Sequence, residues 1–403
     1  MERTAGNQLM IKENNQKFII DTLIDRGATS RADLAKLLKL SAPSVSNNIN
    51  QLLQKKLLLE IGEGDSAGGR RPILLDFNYR YGYIIGVDLS GQDLKIALSD
   101  LKPEIMELRK FDISNEKSGR KILDIIIETI VALFAKHQLN LKQLLTIVVG
   151  FPGVVNEATG RMALLPLWVY VWDEINLHEE LQKKFKSKVI IKNDINLAAL
   201  GESRYGLGRE YHNLVYVSID RGVGAGVVID NRLYEGTRRA AGEIGYLALE
   251  ATDVAFDHQN FGPLESRVGL PGLIRKIRED LRAGCDSRIL DLAQGDPERV
   301  DLRVIKAAVS LEDPYILGEM VRIQNQLAVI MANIGILLDL ELVILGGQLT
   351  SLGYDFLKPL NEMVGKLVPL GTKVVYSSLE QPVLYGAFAA ALEYVQSNIL
   401  SLK

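Results

Sequence analysis

Residues 30–77 constrain the fold most, because they place two short amphipathic helices directly before a hairpin with a glycine-rich turn. Ser30 and Ser41 stand where the two helices would begin, and a serine at that position accepts a hydrogen bond from a free backbone N–H. Asp33 follows Ser30 at the third helical position, as the partner in a capping-box-like arrangement. Pro43 lies in the first turn of the next helix, where a missing N–H has no cost. The segment therefore predicts a helix-turn-helix, preceded by a further helix.

The helix after Ser41 has an apolar face and an uncharged polar face. Apolar residues at helical spacing predict its core side: Val45, Ile49, Leu52 and Leu53. The other side carries hydroxyls and amides, which hydrogen-bond base edges and phosphates. The candidate DNA contacts here are Ser44, Ser46, Asn47, Asn48 and Gln51, together with Arg31 on the preceding helix. The polar surface of an ordinary helical hairpin is the alternative interpretation, although such a surface more often carries Lys and Glu.

A β-hairpin is predicted after these helices, with strands at residues 57–61 and 72–77 and a flexible turn at 62–69. Arg70 and Arg71 lie where the hairpin re-enters the fold. Guanidinium groups beside glycines can approach a phosphate backbone or a minor groove closely. Adjacent arginines are usually only solvated surface, but the order of two helices and a hairpin favours a winged helix-turn-helix that binds double-stranded DNA.

Charge and composition agree with this division of the chain. Residues 1–80 carry twelve Lys/Arg and nine Asp/Glu, a net charge of +3, so the remainder carries −6 of the total of −3. A mildly basic head on an acidic body fits nucleic-acid contact by the head alone. No apolar run reaches the ~20 residues of a membrane span, and the N-terminus has no apolar signal core. We therefore expect a cytoplasmic protein without membrane contact.

After Tyr79 the pattern changes to buried strands that alternate with helices. The segments that show this best are 81–101, 144–155, 188–206, 213–236 and 340–349. Such alternation indicates α/β layers, and Asp or Gly turns at strand ends are where α/β folds bind ligands. With 403 residues, the chain is long enough for two or three domains.

Both parts of the chain resemble the ROK family (repressors, open reading frames, kinases). The head resembles its winged helix-turn-helix through SRADLA and EIGEGDSAGGRRP, and the wing is most similar to the xylose-repressor branch. The body resembles the family's two-lobed actin-like, ribonuclease H-like ATPase fold. The resemblance implies a DNA-binding domain at 1–79 and a sugar-binding domain at 80–403. Its first lobe would take about 80–198 plus the C-terminal helix, and its second about 199–384.

The resemblance also implies a sugar site. Asn193 and Asp194 match the family's Asn-Asp pair, Glu243 in AGEIGY matches its GEIGH, and Glu265 in FGPLES matches its GCLE. Carboxylates and amides suit a sugar because they form directional hydrogen bonds with adjacent hydroxyls. The full set of implied sugar ligands is Gly153, Asn193, Asp194, Glu243, Tyr246 and Glu265.

The two phosphate turns of ROK kinases are altered in this chain. DLSGQD at 88–93 replaces DIGGTK, and DRGVGAG at 220–226 replaces GTGIGGG. Ser90 removes backbone room, and Asp93 would repel a triphosphate unless its side chain points away. Asp194 would be the general base of a kinase. Here it is expected to be a vestigial base that serves only as a hydrogen-bond acceptor.

No structural metal or other cofactor is expected. Many ROK members bind zinc through the histidine of GEIGH and three cysteines, whereas this chain has Tyr246 at that histidine and one cysteine, Cys285. One cysteine also excludes an internal disulfide. His258 alone is a poor site, because structural zinc takes four ligands.

Two functions are consistent with these features. The first is a sugar-responsive repressor of a carbohydrate-utilisation operon, without enzyme activity, that acts as a homodimer or tetramer on operator DNA. Its effector would be a monosaccharide such as xylose or glucose. The alternative is a ROK-type sugar kinase, or a bifunctional kinase-regulator, that phosphorylates a hexose with ATP. Asp194 and the surviving glycines favour the kinase, whereas Ser90, Gln92, Asp93 and Arg221 oppose it.

Overall fold

The computed structural model describes the following residues: 5–64, 71–116, 118–156, 161–164, 175–255 and 261–401. Within them the chain forms a helical head with a small sheet, followed by two α/β lobes that are each built on a five-stranded sheet. The predicted α/β class, with a helix-turn-helix head and a two-lobed body, is confirmed. The domain boundaries stay predictions.

The head contains helices and a small sheet in alternating order. Its elements are α1 (Ala5–Arg26), β1 (Thr29–Ser30), α2 (Arg31–Leu38), α3 (Ala42–Gln54), β2 (Leu58–Glu63) and β3 (Ile73–Phe77). The Asp33 N–H donates to Ser30 Oγ over 3.2 Å, and Ser30 Oγ donates to the Asp33 carboxylate over 2.7 Å. The Ser44 N–H donates to Ser41 Oγ over 3.4 Å. These bonds confirm the predicted starts of α2 and α3, and β2 and β3 pair antiparallel as the wing.

All three helices of the head contribute to an apolar core that is continuous with residues of the body, including the last helix of the chain. Its fully buried members include Ile19, Leu23, Leu34, Val45, Ile49 and Leu52. Asn48 is also buried, with 6% of its surface exposed, and its Nδ2 donates to the Ser44 carbonyl over 2.9 Å. The prediction that Asn48 lies on the outward face is therefore wrong. Three residues after Val45 and four before Leu52, it falls on the core side of the helix.

The first lobe is a mixed sheet in the order β10-β7-β4-β5-β6, with β10, β7 and β4 parallel. Its strands are β4 (Tyr83–Asp88), β5 (Asp93–Ser99), β6 (Glu107–Asp112), β7 (Leu144–Phe151) and β10 (Lys188–Asn193), with β8 (Val154–Asn156) and β9 (Arg161–Leu164) as a separate pair. Its helices are α4 (Gly119–Lys136), α5 (Leu177–Phe185) and α6 (Asp194–Tyr205). The helices α4 and α5 bury one apolar face of the sheet.

The second lobe is a mixed sheet in the order β13-β12-β11-β14-β15. Its strands are β11 (Leu214–Ile219), β12 (Val223–Ile229), β13 (Arg232–Leu233), β14 (Leu342–Gly346) and β15 (Lys373–Tyr376). Its helices are α7 (Pro263–Val268), α8 (Leu270–Arg282), α9 (Ile289–Leu292), α10 (Leu302–Ser310), α11 (Pro314–Leu338) and α12 (Leu357–Leu367). By length and composition α11 is apolar enough to cross a membrane, but its buried residues belong to the core of this lobe.

The last helix, α13 (Pro382–Asn398), crosses α6 at very short range. A Cβ atom added at Gly386 would lie 1.7 Å from the Leu197 carbonyl oxygen, and one at Gly201 would lie 2.2 Å from the Pro382 carbonyl oxygen. Only glycine permits this approach, which packs the two helices together beside both sheets.

The end of α13 lies against the head. Lys17 Nζ on α1 donates to the Ser397 carbonyl over 3.0 Å, and Lys55 Nζ at the end of α3 donates to the Leu400 carbonyl over 3.2 Å. Cations are favourable at these positions because the carbonyls at a helix C-terminus carry partial negative charge. The head is thus joined to the body through the last turns of α13.

Candidate functional site

A cleft of about 560 Å³ lies between the two lobes. Its walls come from strand ends in both sheets: Asp88 at the end of β4, Gly153 after β7, Asn193 at the end of β10 with Asp194 next to it, Asp220 after β11 and Gly347 after β14. Loops at the carboxyl ends of parallel strands meet at one edge of a sheet, which is where α/β folds bind ligands. Pro382 and Val383, at the start of α13, also line the cleft.

The structure brings together all six residues that were predicted as sugar ligands. Each of them lines this cleft: Gly153, Asn193, Asp194, Glu243, Tyr246 and Glu265. The first three come from the first lobe and the last three from the second lobe. A ligand that contacts both sets would therefore hold the lobes together, and the role of these residues as sugar ligands stays a prediction.

Asn193 links two parts of the cleft wall. Its Oδ1 accepts a hydrogen bond from the Asn196 N–H over 2.9 Å, which caps the start of α6. Its Nδ2 donates to the Gly153 carbonyl over 3.1 Å. Gly153 has a φ of +102°, a conformation that favours glycine. Asn193 therefore sets the position of the Gly153 turn relative to α6.

Asp194 begins α6 and is almost fully buried, with 8% of its surface exposed. Its Oδ1 accepts a hydrogen bond from the Ile195 N–H over 2.9 Å. Burial and, next, the nearby Asp88 raise the pKa of the Asp194 carboxyl to about 8. Near pH 7 this carboxyl is therefore mostly protonated, so it can donate a hydrogen bond as well as accept one.

Glu243 and Glu265 face the cleft from the second lobe. Glu243 precedes a short turn at Ile244–Tyr246, and Glu265 lies in the first turn of α7. Burial raises the pKa of both carboxyls, that of Glu265 to about 7. The Gly262 N–H donates to Glu265 Oε2 over 3.4 Å. The two carboxyls give this wall of the cleft polar oxygens of the kind that form hydrogen bonds with adjacent hydroxyls of a ligand.

In each of the two altered phosphate turns, an aspartate of the turn accepts a hydrogen bond from a backbone N–H of the same turn. Asp88 Oδ1 accepts a hydrogen bond from the Ser90 N–H over 2.9 Å, and Asp220 Oδ1 accepts one from the Arg221 N–H over 3.0 Å. These amides therefore point at protein carboxylates, whereas an anion site needs amides free for the ligand. Asp93 is exposed and is not one of the residues that line the cleft.

Three charged lining residues were not predicted from the sequence: Lys95, Arg239 and Glu380. A signal did exist for Lys95, since it is the one charged residue in the apolar segment LKIAL at 94–98. Its Nζ lies 3.1 Å from Asp88 Oδ2. A lone charge in a buried strand usually has a partner, although the sequence does not say which one.

The prediction that the chain binds no zinc concerns residues of which the structure describes some and not others. Among the residues that the structure describes, no group of three His, Cys, Asp or Glu side chains is placed to hold a metal ion. His258 lies outside the described residues. The absence of zinc therefore stays a prediction, and metal analysis of the purified protein tests it.

The outward face of α3 keeps most of the predicted DNA contacts. Asn47 is exposed, while Ser44, Ser46 and Gln51 are partly exposed. Gln51 Nε2 donates to Asn47 Oδ1 over 3.2 Å, which joins two of these side chains into one polar surface. Asn48 does not belong to it, because it is buried in the head.

The two arginine positions that the structure describes differ in role. Arg31 donates to Asn50 Oδ1 over 2.9 Å and to Glu60 Oε1 over 3.2 Å, so it ties α2 to α3 and to the wing. Arg71 is exposed beside the turn of the wing, where β3 begins, and Arg70 lies outside the described residues.

The fold and the cleft together define a class of protein: a winged helix-turn-helix joined to a two-lobed body with an actin-like kinase fold. Residues 84–391 match the ROK family. The chain belongs to the ROK family.

Similar proteins include both regulators and kinases. The xylose repressor of Caldicellulosiruptor bescii is 30% identical over 363 residues, which is 90% of each chain. The DNA-binding transcriptional dual regulator NagC of Escherichia coli is 24% identical over 98% of this chain and 96% of its own. A ROK family transcriptional regulator described as a homolog of the E. coli MLC protein has a TM-score of 0.78 at 23% identity, covering 97% of this chain and 99% of its own. A ROK family glucokinase from Streptomyces griseus has a TM-score of 0.63 at 21% identity, covering 77% of this chain and all of its own.

Proposed function

We propose that this chain is a sugar-responsive transcriptional repressor that binds operator DNA through its head and a monosaccharide in its cleft. One observation carries the proposal. The helix α13 begins in the cleft, where Pro382 and Val383 line it, and its last turn and the residues after it contact the head through the Ser397 and Leu400 carbonyls. One continuous helix therefore connects the cleft to α1 and the end of α3, and we infer that it carries a change in the cleft to the head.

The choice of repressor over kinase follows from the phosphate turns. The Asp88 carboxylate is bonded to Ser90 and Lys95, and the Asp220 carboxylate to its neighbouring N–H. These carboxylates occupy the backbone amides of both turns, which a nucleotide phosphate would need free. The names of the relatives point the same way, because proteins called xylose repressor and N-acetylglucosamine repressor match most of the chain.

The effector is proposed to be a monosaccharide such as xylose, glucose or N-acetylglucosamine. A helix-turn-helix protein reads two half-sites about 34 Å apart, so we propose a homodimer or tetramer. Its place of action would be the cytoplasm, where the operator lies. The sugar shifts DNA binding only if it binds two arrangements of the heads with different affinity.

The test of the proposed function measures operator binding and sugar binding separately. A gel shift with DNA from the protein's own upstream region is carried out with and without each sugar. We expect at least one sugar to change operator affinity by tenfold or more. Unchanged affinity with every sugar would contradict the proposal.

A ROK-type hexokinase, or a bifunctional kinase-regulator, is the second candidate, because Asp194 is present in the cleft together with a glycine-rich turn after Asp220. Coupled measurement of ADP release with ATP and the same sugars separates the two functions. Sugar-dependent turnover that Asp194→Asn abolishes would establish the kinase.

Replacing Glu265 with alanine is expected to weaken sugar binding by roughly 10–100-fold, because leaving the hydrogen-bond partner of a removed side chain unpaired costs about 1–3 kcal/mol. Operator affinity should stay unchanged, since Glu265 lies in α7 of the second lobe and its carboxyl bonds to Gly262 of that lobe. Calorimetric titration of the responding sugar measures the loss. The exposed Glu362 on α12 provides the matched control, and its alanine variant should bind sugar like the wild type. Equal sugar affinity in both variants would remove Glu265 from the site.

Replacing Arg71 with alanine is expected to lower operator affinity and to reduce the slope of log K against log salt by about one. The reason is that an exposed arginine beside the turn of the wing would contact a phosphate and release one counterion. Binding titrations at several salt concentrations measure this slope. Arg303 in the second lobe is 93% exposed on its side chain and is the control. An unchanged slope in the Arg71 variant would place the wing away from DNA.

A further inference from the structure

The cleft brings acidic side chains of both lobes close to one another. Asp88 and Asp194 belong to the first lobe, and Asp220 follows β11 in the second. Asp88 is 2% exposed and Asp194 is 8% exposed. After burial, Asp88 contributes to the raised pKa of the other two carboxyls. Asp194 is mostly protonated near pH 7, so the repulsion between the lobes is mainly that between Asp88 and Asp220. Like charges repel more strongly in a poorly solvated site than in water, so closing the lobes has an electrostatic cost.

Lys95 lies among these carboxylates. Its Nζ is 3.1 Å from Asp88 Oδ2, and the side chains are 25% and 3% exposed. Burial raises the pKa of the Asp220 carboxyl, and the positive charge of Lys95 counteracts that rise from the opposite lobe. The other cation that acts on Asp220 in this way is Arg221, which belongs to the same lobe as Asp220. Lys95 therefore acts on carboxylates of both lobes.

We propose that Lys95 is a positioning residue that serves as a resident counter-charge between the lobes and so permits the cleft to close on its sugar. The inference rests on the proposed function, since it assigns Lys95 to the regulation of the same cleft. Paired with Asp88 and lining the same cleft as Asp220, the ammonium group offsets repulsion that grows as the lobes approach. The sugar itself need not contact Lys95. The affinity for the sugar depends on Lys95 because the stability of the closed arrangement of the lobes depends on Lys95.

The test compares Lys95→Met, Lys95→Arg and the double variant Lys95→Met/Asp88→Asn with the wild type. D-xylose, D-glucose and N-acetyl-D-glucosamine are titrated calorimetrically, and the sugar that the wild type binds most tightly is followed. Lys95→Met is expected to weaken binding at least tenfold, while Lys95→Arg stays within about threefold because the charge is kept. The double variant should regain most of the loss, because one carboxylate is removed with the cation. A Lys95→Met affinity within threefold of the wild type, or no recovery in the double variant, would overturn the proposal.

A second measurement does not need sugar. Hydrogen exchange is followed in peptides that contain the Ser90 amide of the first lobe and the Arg221 amide of the second, both bonded to the acidic side chains. Lys95→Met is expected to speed exchange in both peptides, and Lys95→Arg in neither. Faster exchange confined to the Ser90 peptide would show a local ion pair and contradict the proposal. If the wild type binds none of the sugars, the proposed function fails, but this measurement still decides the role of Lys95.

Discussion

Replacing Glu202 with alanine is expected to lower the free energy of unfolding by about 3–5 kcal/mol, because it leaves several buried donors without an acceptor. Glu202 lies on α6 and has no exposed surface. Its Oε1 accepts from Ser377 Oγ over 2.6 Å and from the Ser378 N–H over 2.8 Å. Its Oε2 accepts from the Leu207 N–H over 3.1 Å. Urea unfolding followed by circular dichroism measures the change.

The position of Glu202 explains the expected size. It ties α6 to residues 377–379, which lead from β15 into α13, so the lost contacts lie where the two lobes join. Glu202→Gln keeps the shape of the side chain and should cost less than alanine. The exposed Glu210, just beyond α6, is the control, and its alanine variant should stay within ~0.5 kcal/mol of the wild type. A loss below about 1 kcal/mol in Glu202→Ala would show that water replaces these contacts.

Replacing Asp194 with asparagine is expected to stabilise the protein strongly at pH 9 and much less at pH 5. The folded pKa of Asp194 is raised from an ordinary value of 3.8 to about 8, so between these values the folded state keeps a proton that the unfolded state has lost. Stability therefore falls as pH rises through this window. Asparagine does not ionise and removes the fall. The gain above pH 8 is on the order of a few kcal/mol, since one pKa unit corresponds to about 1.4 kcal/mol.

Unfolding midpoints in urea at pH 5, 7 and 9 measure this effect. The difference in unfolding free energy between Asp194→Asn and the wild type should be smallest at pH 5, larger at pH 7, and level off above about pH 8. The exposed Asp286 supplies the matched control, and its asparagine variant should show no such growth. Parallel stability curves for the Asp194 variant and the wild type would mean that the buried carboxyl is not protonated at neutral pH.

The sequence predicted those parts of the structure that depend on neighbouring residues. Ser30 and Ser41 begin α2 and α3 because a hydroxyl next to free N–H groups acts within one turn. Asn193 caps the start of α6 in the same way, because its side-chain oxygen accepts from a free N–H in the first turn. Asn48 was predicted wrongly. Its polarity favoured the surface, whereas the helical period places it on the core side and its amide is satisfied by its own helix.

The sequence by itself determined the α/β class and the helix-turn-helix head, since periodicity, capping and strand-end turns are local properties. The six candidate sugar ligands came from the motifs that resemble those of the ROK family, and the structure places all six in the cleft. Only the tertiary structure decided the partners of buried charges. Lys95 forms an ion pair with Asp88 across a turn, and Glu202 accepts hydrogen bonds from residues about 175 positions away. It also decided the raised pKa of Asp194. These features depend on which strands become neighbours and how much water is excluded between them, and no single segment of the chain carries that information.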